Sequence, residues 1–226
     1  MTNKKFKLAA MSLATAVAVS TVGPSASAVT YQLENGDVTV GQDNTGVYSY
    51  QNKTDGKTEN VYVDQDTQDN GQIIIKQTEG TTTNNTVTVE ENVTNKDGDR
   101  DVDIIIDGVN VDTSDTSTQT DTPAEVPADA DTKEDKTIIK VGEGADVDLT
   151  VKGSNLTTGG NGIDIGVNLD DKDDNKGANV DLTLDNTKIN LTENATAGVN
   201  ARDNSDVDIT LKGDNTIDGS EAIDKV

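Results

Sequence analysis

The chain has 226 residues, a formal net charge of −24, no cysteine, no histidine and no tryptophan. So negative a chain disfavours nucleic acid and anionic lipid as partners and favours cations, basic surfaces or plain solubility. Without cysteine no disulfide framework supports it, and thiol or imidazole catalysis is excluded.

Residues 1–28 read as a secretory signal peptide. Lys4, Lys5 and Lys7 make a basic start, Leu8 to Val22 is mostly apolar, and Ala26-Ser27-Ala28 is an A-x-A cleavage site. Loss of the three lysines takes the charge from −24 to −27. No second hydrophobic segment follows, so no integral membrane segment is expected after cleavage. The expected location is extracellular, secreted or on a cell surface.

Residues 29–100 contain short apolar runs between Gly, Asn, Asp and Thr corners. They are Val38-Thr39-Val40, Val47-Tyr48-Ser49-Tyr50, Val61-Tyr62-Val63, Ile73-Ile74-Ile75 and Val87-Thr88-Val89. Each reads as a strand, with no register between them. Tyr48 and Tyr50 share one face of their strand. Sugar rings stack on aromatic faces, so this pair is the candidate carbohydrate platform; sheet packing is the competing reading.

Residues 101–226 carry an internal repeat. Four segments superimpose, starting at Val102, Val147, Val180 and Val207, with starts 45, 33 and 27 residues apart. Repeats at such spacing indicate stacked, solenoid-type folds. Alternation puts Val147, Leu149 and Val151 on one face and Asp146, Asp148, Thr150 and Lys152 on the other. Six residues after each leading Val stands Gly108, Gly153, Asn186 or Gly213. Gly and Asn enter the left-handed region most readily, so this is a repeated corner. Asn110, Asn155 and Asn215 read as a shared column beyond it, broken by Lys188. A third strand closes each turn at Ile139 and Val141, Ile163 and Ile165, Val199 and Ala201, and Ile223. Three strands and three corners per turn describe one coil of a right-handed parallel β-helix, an all-β fold. An antiparallel sandwich is the alternative.

Asp112–Lys136 interrupts the first coil as an acidic, Thr- and Ser-rich insertion with Pro123 and Pro127, read as a loop. Asn168–Lys176 is a second acidic loop. Gly159–Val167 is similar to a calcium-binding nonapeptide, yet Gly166 stands where a large apolar residue belongs. It reads as a turn followed by the third strand.

The segment Gly144-Ala145-Asp146-Val147-Asp148-Leu149-Thr150-Val151, with its copies starting at Gly177 and Asn204, resembles the right-handed β-helix repeats of bacterial surface proteins. These include autotransporter passengers and the adhesin-like and carbohydrate-binding-domain proteins of gut bacteria. The resemblance covers residues 101–226 and extends loosely over 29–100. It implies adhesion, glycan binding or a structural stalk, with extracellular glycans or surface proteins as partners. In enzymes of the same fold it implies polysaccharide cleavage by a lyase or glycoside hydrolase. Such enzymes use Asp with Lys or Arg on an outward strand face, which only Asp206 and Asp208 near Arg202 approach here. The non-enzymatic reading is preferred.

The repeat also places carboxylates in register. Asp103, Asp148, Asp181 and Asp208 form one outward column, and Asp101, Asp146, Asn179 and Asp206 a second. Stacked carboxylates repel by about 1 kcal/mol per pair in water and more near a protein surface. They are either a solvated, solubilising face or a place for cations, calcium above all. Asp170, Asp171, Asp173 and Asp174 of the second acidic loop are further candidate calcium ligands. After Ile223 no capping segment is recognised, so end-to-end association or continuation beyond the last coil is expected.

Overall fold

The computed structural model describes residues 28–52, 60–62, 72–94, 102–114, 137–169, 176–192 and 195–219. Among these residues the chain is all β: seventeen strands, a single 3-10 turn at Leu33–Asn35 and no α-helix. Residues 1–27 of the expected leader, the body of the insertion from 115 to 136, Asp101, Asp170, Asp171, Asp173, Asp174 and Ile223 lie outside the described residues.

In chain order the strands group into successive passes. The N-terminal group is β1 (Val29–Gln32), β2 (Val38–Gln42), β3 (Val47–Gln51) and β4 (Val61–Tyr62). The next pass holds β5 (Ile73–Lys76) and β6 (Val87–Val89). Three full passes follow: β7 (Val102–Asp107), β8 (Asn110–Asp112) and β9 (Ile139–Gly142); β10 (Asp146–Lys152), β11 (Asn155–Thr158) and β12 (Ile163–Val167); β13 (Asn179–Asp185), β14 (Lys188–Leu191) and β15 (Val199–Ala201). The last described strands are β16 (Asp206–Lys212) and β17 (Thr216–Gly219).

Each full pass puts one strand into each of three sheets. Sheet A runs β1-β5-β7-β10-β13-β16, sheet C runs β8-β11-β14-β17, and sheet B runs β4-β3-β2-β6-β9-β12-β15. Every pairing is parallel except β2 with β3 and β3 with β4. This path is compatible with a solenoid.

The register of sheet A follows the repeat. Val147 pairs with Val102 and Val180, which pairs with Val207; Leu149 pairs with Ile104 and Leu182, which pairs with Ile209. Alternation explains why: the inward Val, Ile and Leu of β7, β10 and β13 are buried, and a one-residue slip would turn all of them to solvent. The corner column is equally regular. Gly108, Gly153, Asn186 and Gly213 have φ of 68°, 55°, 52° and 67°, the left-handed region that Gly and Asn occupy most easily. There the N–H of Gly108 donates to Lys152 O at 2.9 Å, that of Gly153 to Asp185 O at 2.8 Å, and that of Asn186 to Lys212 O at 3.0 Å.

Beyond that corner the expected asparagine column needs correction. Asn110 and Asn155 pair through sheet C with Lys188 and then Thr216, not Asn215. The last corner holds one extra residue, Asp214, which moves Asn215 back into the turn. There its side chain accepts from the Thr187 N–H at 2.8 Å and donates to Lys212 O at 2.9 Å. The ladder of stacked amides is completed instead by Asn190, which donates to Asn155 Oδ1 at 2.8 Å, as Asn155 donates to Asn110 Oδ1 at 2.9 Å.

Residues 159–167 form a turn and then β12, with a register shift at Gly166, whose φ is 75°. Within residues 29–100 the strands take a definite register. β5 stacks on β7 with Ile73 on Ile104 and Ile75 on Ile106, and β6 stacks on β9. The run Val47–Tyr50 departs from the coil pattern. It turns back after Asp43, whose carboxylate accepts from the Thr45 N–H at 2.7 Å, and pairs antiparallel with β2. Its inward residues Val47, Ser49 and Gln51 are buried at the N-terminal end of the core. Tyr31 points into that end, and its hydroxyl shares a buried hydrogen bond of 2.9 Å with Ser49 Oγ, as a buried phenol requires.

Candidate functional site

Three of the chain's four tyrosines meet on the outer face of sheet B. The strand alternation that buries Val47, Ser49 and Gln51 turns Tyr48 and Tyr50 outward. Their ring centroids lie 6.3 Å apart with planes inclined by 20°. The antiparallel pairing of β3 with β4 sets Tyr62 opposite Tyr48, edge to face, at 6.0 Å and 69°. Tyr62 is exposed. Tyr62 escaped the sequence reading because only strands of known register reveal cross-strand neighbours.

The Tyr48 ring reaches across strand β2. Gly41 lies opposite Tyr48, and a Cβ there would come within 2.6 Å of the ring's Cζ and hydroxyl and would also collide with the Glu90 carboxylate. Glycine is thus needed for the ring to lie down on the sheet. The Tyr48 hydroxyl donates to Glu90 Oε2 at 3.0 Å, and that of Tyr62 donates to Asp43 Oδ2 at 2.8 Å. Partial burial, followed by the hydrogen bond and the charge of Glu90, pushes the Tyr48 phenol up to about 12. The bond from Tyr62, with the backbone N–H of Thr45, holds the Asp43 carboxyl below its ordinary value. The result is a platform of apolar ring faces edged by fixed acceptors, the combination that a sugar's C–H face and hydroxyls can use.

The acidic columns are present on the outer face of sheet A. Asp148 pairs with Asp103 and Asp181, which pairs with Asp208. Asn179 separates Asp146 from Asp206 in the second column and donates to Asp146 Oδ1 at 2.8 Å. Together with Thr150, Thr183 and Thr210 the first column lines a shallow groove of about 410 Å³. Among the described residues no three carboxylates converge as a metal-binding group.

A third outward column on the same sheet was not recognised from sequence. Lys76, Asp107, Lys152, Asp185 and Lys212 pair in turn across β5, β7, β10, β13 and β16, alternating in sign at every step. Asp107 Oδ2 lies 3.8 Å from Lys76 Nζ and 3.4 Å from Lys152 Nζ. It was readable, since each member sits five residues after its leading apolar position in β7, β10, β13 and β16.

Arg202, expected near Asp206 and Asp208, is engaged on sheet B. Arg202 follows β15 on sheet B and grips Asp164 of β12, with Nη2 to Oδ2 at 2.8 Å and Nε to Oδ1 at 3.2 Å. Asp164 is buried and also accepts from Asn200 at 2.8 Å and Asn161 at 3.1 Å. Such full satisfaction makes this a structural ion pair that lets a carboxylate stay inside.

At the N-terminal end, Glu34, Asp37, Asn85 and Asp112 line a larger open groove of about 670 Å³. Burial raises the Glu34 carboxyl, but hydrogen bonds from the Thr78 hydroxyl and backbone N–H outweigh it and hold the group below its ordinary value.

Among the described residues no helix is long and apolar enough to cross a membrane. No family model, curated protein or solved structure matches the chain.

Proposed function

We propose that this chain is a right-handed parallel β-helix that serves as a secreted or cell-surface module and binds glycans on the outer face of sheet B. The parallel pairing throughout sheets A and C, and from β2 to β15 in sheet B, supports the fold, and the leader-like residues 1–28 support the location. One observation carries the binding reading: Tyr48, Tyr50 and Tyr62 come together on one sheet face, with Tyr48 spread over Gly41. These are three of only four tyrosines in a chain without tryptophan, and packing alone does not require them to gather on the outside.

A glycan array, run beside a reducing-sugar release assay, tests this reading. Specific binding is expected, weakened by about fivefold or more in Tyr62→Ala, since an aromatic contact is worth roughly 1 kcal/mol beyond its area. Gly41→Ala should weaken binding too, by lifting the Tyr48 ring, while the fold persists. Absence of binding to any glycan, or binding indifferent to both substitutions, contradicts the platform. Release of reducing sugar replaces the binding module with a polysaccharide-cleaving enzyme.

A further inference from the structure

Along sheet A and sheet C the inward side chains are closed off until the last described strands. Leu182, Leu184 and Ile189 are at most 2% exposed, whereas their register partners Ile209, Leu211 and Ile217 are 51%, 65% and 53% exposed. β16 and β17 are the outer strands of their sheets among the described residues. Exposed strand edges are ordinarily guarded by proline, a bulge, an inward-pointing charge or charged side chains, lysine above all. β16 has only the last of these, in Asp206, Asp208 and Lys212: Val207, Ile209 and Leu211 all point inward, in seven residues of unbroken strand.

The sequence of β16, Asp-Val-Asp-Ile-Thr-Leu-Lys, is complementary to itself when reversed. Set antiparallel about Ile209, Asp206 faces Lys212 of the second copy, Val207 faces Leu211, Asp208 faces Thr210, and Ile209 faces itself. Charge meets opposite charge, apolar meets apolar, and no two acids are opposed. The two-fold axis stands normal to sheet A, so inward residues stay inward and outward residues stay outward. The alternating ladder continues across the junction, since Lys212 stands next to Asp185 within the chain and next to Asp206 of the copy. The column of four aspartates ends against a threonine rather than a fifth acid.

We propose that two copies of this chain associate end to end through β16, as an antiparallel, two-fold symmetric extension of sheet A that covers Ile209 and Leu211. A two-fold contact of this kind is closed and yields a dimer and nothing larger. This inference is independent of the sugar reading.

Sedimentation velocity of the full chain over a concentration series tests it, with Asp206→Lys, Lys212→Asp and the double reversal. A monomer–dimer equilibrium is expected. Each single reversal turns two ion pairs per dimer into two repulsions and should weaken association by roughly tenfold, and the double reversal should restore it. A monomer at every concentration means that another segment of the chain covers the edge, and overturns the proposal. So does a dimer insensitive to the single reversals, or an open series of larger species, which signals head-to-tail stacking.

Discussion

Tyr48 joins packing to hydrogen bonding in one side chain. Its ring lies over Gly41 and its hydroxyl donates to Glu90, so the neutral phenol is favoured in the folded protein. A group held above its ordinary value of 10 contributes stability that is fully present below pH 10 and is lost as pH rises towards 12. The melting temperature is therefore expected to fall between pH 9 and 12 in the native sequence and to fall less steeply in Tyr48→Phe. Equal slopes would mean that the hydrogen bond to Glu90 does not distinguish the protonated form. Asp164 shows the opposite use of a polar residue. It is buried in β12, and its cost is offset by Arg202, Asn200 and Asn161, all supplied from β12, β15 and the residues beside them.

At the level of the strand, sheet A shows how period-two patterning specifies register. Val180 sits in β13 between Val147 and Val207 and is fully buried. Val180→Asp places an unpaired carboxylate there, at a cost of several kcal/mol, and is expected to abolish the β-sheet circular dichroism of the stack at 25 °C. An unchanged spectrum and melting temperature would refute the placement of this column. The alternating lysines and aspartates outside contribute far less, roughly 0.2–1 kcal/mol for each exposed pair. This contrast explains what is legible in the amino-acid sequence. The inward columns and the Gly/Asn corner recur at constant offsets, so the order of residues alone reveals them. β3 and β4 have no copy elsewhere, and the antiparallel pairing of β3 with β2 depends on a turn at Asp43–Gly46 that no repeat announces. Tyr62 was missed for that reason. The single added residue at Asp214 was enough to misplace Asn215, because a column argument assumes equal corners. Asp164 and Arg202 are separated by 38 residues and share no motif, so only the stacking of β12 on β15 brings them together.

For the whole molecule, a net charge of −24 works against compaction, and few large side chains oppose it. Stability has to come from repetition: the same small apolar rows and the same corner hydrogen bonds, added strand by strand. The acidic columns keep the outer face of sheet A wet, the tyrosines give sheet B a distinct face, and among the described residues β16 and β17 expose Ile209, Leu211 and Ile217. The acidic columns and the apolar rows beneath them depend on in-register stacking of parallel strands. Cysteine pairs test this directly, since the chain contains none of its own. Thr150 and Thr183 are outward-facing partners on β10 and β13, with Cα atoms about 4.8 Å apart in such a pairing and within disulfide reach. Under mild oxidation, Thr150→Cys/Thr183→Cys is expected to form an intramolecular disulfide rapidly, and Thr150→Cys/Asp185→Cys, two residues out of register, is expected to stay reduced. Equal cross-linking of the two pairs, or cross-linking of the second alone, would contradict the stack.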